Sequence, residues 1–229
     1  MKHKTKITLQ ILAVSALLGG LPGCAELPLV VNASEAIGYA IFGSTDAEID
    51  SELVAQMPYA SLSAKIGNGP RSILVLGKKE NGFEYWFSAD RAVLVTRNGR
   101  LVRTAGFPEN LKHTALRGKD PVNRLLHLRK YGPPKQALQS VRSIDISMDS
   151  RFGIPIRSHY ETIGAREIQI RGIKIKTVLV RERNKAFSIN WSFDNYYWVD
   201  AFDGFVWKSR QHIVRSFPPI EIEILKPAA

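Results

Sequence analysis

The sequence predicts a mainly β protein: an antiparallel β-sandwich, or two packed sheets, with two short helices. Three observations carry that expectation. Apolar and polar residues alternate through much of the second half, as in Ile144, Ile146 and Met148 against Asp145, Ser147 and Asp149. Asn81-Gly82 and Asn98-Gly99 lie between strand-like runs, where a type I′ hairpin needs positive φ at both central residues. Helical spacing of apolar residues is confined to two stretches, near 45–57 and just after Asp120.

The first helix is expected over Thr45 to Met57. Thr45 or Asp46 can cap its start, and Ile49, Leu53 and Met57 recur on one face. Pro58 stops it, because proline lacks the N–H that a helix interior uses. Tyr59 to Ile66 then reads as a strand, followed by the Gly67-Asn68-Gly69-Pro70 turn. Ser72 to Gly77 is an apolar run suited to a strand covered on both faces. Phe83 to Ser88 returns from the Asn81-Gly82 turn, and Asn98-Gly99 joins Ala92–Arg97 to Arg100–Thr104.

Asp120-Pro121 opens the second helix, with aspartate as cap, proline in the first turn and Leu125, Leu126 and Leu128 as its apolar side. Gly132-Pro133-Pro134 ends it. Beyond lie alternating runs at Ile144–Met148, Ile168–Ile170, Ile173–Ile175 and Val178–Val180. Asp203-Gly204 separates Tyr196–Ala201 from Phe205–Val214, and Ile220, Ile222 and Ile224 alternate with Glu221 and Glu223. Some ten strands with tight turns suit a sandwich.

Ahead of this domain the chain has the three parts of an export signal. Lys2, Lys4 and Lys6 form a positive start, and Ile7 to Leu18 is an apolar run. That run is too short to span a hydrocarbon core of roughly 30 Å as a helix. Leu21-Pro22-Gly23-Cys24 resembles a lipobox, with leucine three residues before the cysteine and a small residue directly before it; Pro22 departs from the usual Ala, Ser or Thr. Cys24 is the only cysteine in the chain. It is the expected lipidation site, and the covalent lipid stands in place of any cofactor. Several acyl chains together hold a protein on a bilayer stably, where one does so only marginally. Ala25 follows, rather than the aspartate that commonly retains lipoproteins at an inner membrane, which favours the periplasmic face of an outer membrane. The expected division is residues 1–23 as signal peptide, 24–44 as lipidated N-terminus and tether, and 45–229 as a single β-rich domain. Any split of that domain into two sub-layers would fall near 120–135.

The full chain carries a net charge of +11, and loss of residues 1–23 removes three lysines and no carboxylate, leaving +8. Such a balance suits acidic headgroups or an anionic polysaccharide. Export and the lack of a nucleic-acid motif argue against nucleic acid. No G-x-S-x-G, H-E-x-x-H, P-loop or Rossmann pattern occurs, so no catalytic residue is assigned. His113, His127, His159 and His212 have no metal-pair spacing, and no metal site is expected. Asp90, Asp194, Asp200 and Asp203 stand at turns and strand ends, where aspartate serves local hydrogen bonding.

The candidate glycan or partner surface is aromatic and cationic. Trp191, Tyr196, Tyr197, Trp198 and Trp207 crowd one segment, and exposed rings can stack on sugars. The competing reading places them in the core, since aromatic residues favour strands. Arg97, Arg100 and Arg103 surround the Asn98-Gly99 turn. They suit an anionic polymer or headgroup, or equally a solubilising strand edge.

Several of these segments resemble one family. Ser88-Ala89-Asp90 with the hairpin Thr96-Arg97-Asn98-Gly99-Arg100-Leu101-Val102-Arg103-Thr104-Ala105-Gly106 is similar to a hairpin of the YjbF/GfcB lipoproteins. So are Asn195-Tyr196-Tyr197-Trp198-Val199-Asp200 and Gly204-Phe205-Val206-Trp207-Lys208-Ser209-Arg210-Gln211. Phe107–Leu111 departs by lacking an aspartate before the leucine. The resemblance implies a part in group 4 capsule or exopolysaccharide production, among other polysaccharide-export proteins of the envelope, and supplies no catalytic residues. The expectation is an outer-membrane lipoprotein acting as a non-enzymatic accessory or scaffold in polysaccharide secretion or assembly. The alternatives are a polysaccharide-modifying enzyme, and a general envelope structural protein that recruits partners through strand edges.

Overall fold

A computed structural model describes residues 51–118, 120–122, 138–147 and 150–228. Cys24, the signal segment, the tether and most of the second expected helix lie outside the described residues. Of the first expected helix, Thr45 to Met57, the described part is α1, Ser51–Gln56; its expected start and cap lie outside the described residues. At the second, Asp120 Oδ1 accepts the N–H of Val122 at 3.0 Å, the capping bond that Asp120-Pro121 implies.

The expected two-sheet sandwich is corrected. All twelve described strands belong to one antiparallel sheet that curls into a nearly closed barrel. Five strands come first: β1 Ser61–Ile66, β2 Arg71–Glu80, β3 Phe83–Phe87, β4 Val93–Arg97 and β5 Arg100–Ala105. Seven follow: β6 Leu111–Leu116, β7 Leu138–Ile146, β8 Arg151–Ile170, β9 Ile173–Ala186, β10 Trp191–Asp200, β11 Val206–Gln211 and β12 Ile220–Lys226. The order across the sheet is β5-β4-β3-β2-β1-β12-β11-β10-β9-β8-β7-β6. Every neighbour pair except β1–β12 is consecutive in sequence. The physical reason is strand number: a twisted open sheet of this size curls or splits, and curling leaves only two edges.

Those edges, β5 and β6, are joined by five residues and bridged by side chains. The Thr104 hydroxyl of β5 accepts the Leu111 N–H of β6 at 3.0 Å, and within the connection Asn110 donates from Nδ2 to the Phe107 carbonyl at 2.6 Å. Both expected hairpins form, with φ of +51° and +78° at Asn81 and Gly82, and +51° and +79° at Asn98 and Gly99.

The alternating residues fill the barrel. Leu62, Leu74, Trp86, Leu94, Ile144, Ile156, Trp191, Ile220 and Ile222 belong to one buried cluster. β8 and β9 form the longest hairpin, and β8 carries a bulge between Thr162 and Gly164. Beyond it, Ile168, Ile170 and Ile175 pack with Leu225, Ile73 and Val54 of α1 in a second cluster. Ile73 and Leu225 alternate with the inward Leu74 and Ile224, so this cluster covers part of the outer wall. Among the described residues no helix is long and apolar enough to cross a membrane.

Candidate functional site

The barrel interior is divided. Alongside its apolar cluster lies a sealed polar set, built from inward positions of β7 to β11 and reached from across the barrel by Arg100 of β5. Glu182 is fully buried at its centre. Its Oε1 accepts from Arg142 Nη1 at 2.7 Å, Tyr160 Oη at 2.8 Å and Arg100 Nη1 at 3.0 Å. Its Oε2 accepts from Asn195 Nδ2 at 2.9 Å, Tyr197 Oη at 3.0 Å and Arg100 Nη1 at 3.0 Å. Arg100 also binds Asp120, from Nε at 2.5 Å and Nη2 at 3.1 Å. Two guanidiniums thus face two carboxylates, and Ser158 and Asn184 accept further bonds from Arg142. Buried charge is tolerated only when paired and hydrogen-bonded, and these groups meet both conditions.

Electrostatics follow from that packing. Burial pushes the Glu182 carboxyl up, but Arg100 and Arg142 outweigh it and hold the group well below the ordinary carboxylate range. Burial raises the Tyr160 and Tyr197 phenols, so both remain donors. A carboxyl with a lowered folded-state pKa stabilises the fold fully above its unfolded value, and that stabilisation fades as pH falls through the folded value. The melting-temperature gap between wild type and Glu182→Gln should therefore stay constant from pH 8 to about pH 5 and narrow in stronger acid. Calorimetry across that range checks it; a gap that narrows already between pH 8 and 6 would contradict the assignment.

The predicted surface residues separate. Arg100, Tyr197 and Trp191 are buried, which corrects their assignment to a surface. Trp191 stacks on Phe193 at 3.8 Å, and the Arg100 guanidinium lies 5.4 Å from the centre of the Tyr197 ring. Trp198 and Tyr196 are half-buried on the alternate face of β10. Lys208 Nζ sits 5.4 Å from the Trp198 ring centre. Arg97 and Arg103 are exposed, and Arg97 lies 5.0 Å over the Phe83 ring.

The sequence reading does not single out Glu182, Arg142 or Asn184, and Asn195 and Gln211 enter it only within the family-like segments. Their signal is phase: along β9, Glu182 and Asn184 continue the inward register of Val178 and Val180. A charged residue in the apolar phase of a strand calls for a partner, and sequence alone does not say which.

Among the described residues, two surfaces stand out as open to a ligand. The first is a cavity of about 340 Å³ at one end of the barrel, between the β3–β4 and β11–β12 strands. Trp207 and Phe205 line one side of it; Glu84, Thr96 and Asn98 line the other. The second is a strip on the outer wall. Register places Arg157 opposite Lys185 and His159 opposite Arg183, all exposed. Phe187 is 60% exposed, with Lys185 Nζ at 4.8 Å and the Arg157 guanidinium at 5.7 Å from its ring centre.

Comparison with known proteins fits this architecture. The solved structure of the lipoprotein YmcC of Escherichia coli K12 superposes with a TM-score of 0.71 at 26% identity, covering 90% of this chain and 99% of that one. The lipoprotein GfcB of Escherichia coli K12 is 28% identical over 190 residues, 82% of this chain and 86% of the relative. The lipoprotein YjbF of the same organism is 23% identical over 189 residues, 82% of this chain and 85% of the relative. Residues 34–225 match the family described as group 4 capsule polysaccharide lipoprotein GfcB, YjbF. The chain therefore belongs to the YjbF/GfcB family of capsule-associated lipoproteins.

Proposed function

We propose that the protein is a non-enzymatic accessory or scaffold for capsule or exopolysaccharide secretion, held on the periplasmic face of an outer membrane by lipid on Cys24. The family match across residues 34–225 carries this reading. The lipobox-like Leu21-Pro22-Gly23-Cys24 supports the anchor. Its partners are the membrane, other polysaccharide-export proteins and an anionic exopolysaccharide, for which the Arg157–Lys185 strip offers charge complementarity.

The interior chemistry favours a scaffold over a polysaccharide-modifying enzyme. A glycosidase needs two carboxyls roughly 5–10 Å apart with access to the sugar. Glu182 and Asp120 are instead both held by Arg100, and every oxygen of Glu182 is occupied by protein donors.

Deletion of the gene, with complementation by wild type or Cys24→Ser, tests the reading. Surface polymer should fall to background on deletion and return with wild type. The Cys24→Ser chain should move from the membrane to the soluble periplasmic fraction and fail to restore secretion. Undiminished polymer in the deletion strain would overturn the role, and membrane retention of Cys24→Ser would overturn the anchor.

A further inference from the structure

We propose that the cavity between β3–β4 and β11–β12 is a saccharide subsite that takes an uncharged stretch of the polymer. This deepens the reading above and rests on it for the identity of the sugar source. The cavity's volume of about 340 Å³ lies at the lower end of the ~300–1,000 Å³ typical of small-molecule sites.

The chemistry of the lining selects the ligand class. Phe205 and Trp207 pack edge to face at 4.8 Å between ring centres. Trp207 Nε1 donates to Asp200 Oδ2 at 2.9 Å, which fixes the ring's orientation and commits its only polar atom. What the two rings offer the cavity is apolar surface, the partner that the C–H face of a sugar prefers. The opposite wall is polar. Glu84 Oε2 accepts from the Thr96 hydroxyl at 3.1 Å, and that hydroxyl accepts the Trp86 indole N–H at 2.9 Å. The Glu84 carboxylate is thereby held in place, with lone pairs left for ligand hydroxyls, and Asn98 at the hairpin tip lines the same cavity.

Charge excludes an ion as occupant. Lys79 lies 3.9 Å from Glu84, so the two neutralise each other. Lys208 is committed to Glu221 at 3.1 Å and Glu223 at 2.7 Å. A ring with one apolar face and a rim of hydroxyls matches this lining, whereas a phosphate or a sulfated chain does not. Anionic parts of a polymer belong to the outer Arg157–Lys185 strip instead.

The test uses the full mature chain with Cys24→Ser, and oligosaccharides released from the producing bacterium's own polymer by mild acid hydrolysis. Saturation-transfer NMR should show ring protons of the oligosaccharide in contact with the protein, and titration should saturate. Phe205→Ala should weaken binding about tenfold, the loss of one aromatic contact. Ala228 lines the cavity from beyond the end of β12, so Ala228→Trp fills it with a bulky group and should abolish binding while leaving the circular-dichroism melt unchanged. Absence of saturable binding, or binding that survives both substitutions, would overturn the subsite. So would binding that dextran sulfate displaces, since that places the sugar on the outer strip. If deletion abolishes secretion but no oligosaccharide binds, the subsite alone fails; if secretion never depended on the protein, the functional reading fails.

Discussion

Replacing Glu182 by glutamine should unfold the barrel well below the wild-type melting temperature. The substitution keeps the shape and removes the charge, leaving Arg100 and Arg142 facing one carboxylate, Asp120, which pairs with Arg100 and not with Arg142. Breaking a buried ion pair from one side costs about 3–5 kcal/mol, because the remaining charge stays desolvated. For a chain of this length that is roughly 6–20 °C in Tm. A second variant separates charge balance from shape. Removing Glu182 together with both guanidiniums, as Glu182→Leu with Arg100→Leu and Arg142→Met, should recover most of the loss, since well-packed apolar side chains often replace buried ion networks without penalty. Calorimetric melts of the two variants decide the matter. A Glu182→Gln melt within about 2 °C of wild type, under 1 kcal/mol at this chain length, would mean the cations find other partners.

Gly99→Ala should be the most damaging single-methyl change in the first hairpin pair. A Cβ on Gly99 would lie 2.4 Å from Val206 Cβ, inside any real contact distance, and φ there is +79°. The left-handed conformation costs an L-residue about 1–2 kcal/mol. Overpacking against buried Val206 adds about 1–3 kcal/mol more. Gly118→Ala supplies the control: its φ is +84°, with nothing within 4 Å of the new atom. Gly118→Ala should show the conformational cost alone, and the difference between the two melts isolates the clash. The consequences reach further than stability. The Gly99 carbonyl accepts from Gln211 Nε2 at 2.9 Å, and Gly99 lines the cavity, so displacing the hairpin alters both. Equal melts for the two variants would show that Val206 yields freely.

The hairpins, most strand positions and the inward phase were legible because each is a local property. Asn-Gly pairs demand positive φ, and alternation marks which side chains point the same way. The closure into one barrel was not legible, because a sandwich and a barrel require the same pattern of one buried and one exposed face per strand. The pairing that distinguishes them, Ile66 with Ile220 and Leu62 with Ile224, joins the two ends of the domain. β6 escaped notice because an edge strand has little apolar pattern: Lys112 and His113 are both exposed. The first half of β8 escaped because its inward series, Ile154, Ile156, Ser158 and Tyr160, turns polar midway where it joins the buried network.

The site was legible to a lesser degree. Trp207 was among the residues singled out and lines the cavity, whereas Arg100 and Tyr197 were singled out and serve the interior. Nothing in the alternation around Arg97 and Arg100 separates them, since the bulge between Val95 and Thr96 resets which face each presents. Cys24 and its lipobox-like context are read from the sequence alone.

The pairing of β1 with β12 has a consequence for how the molecule is made. The first strand of the domain lacks one of its two neighbours until Ile220–Lys226 has been synthesised and delivered. Contacts of such sequence separation form late and slowly, since the intervening chain must be gathered before they stabilise anything. For the export expected from the N-terminal sequence, that delay has a use: without β12 the barrel stays open, and an open chain is one that can still be threaded. Closure thus acts as a clock that holds folding back until the last strand is present.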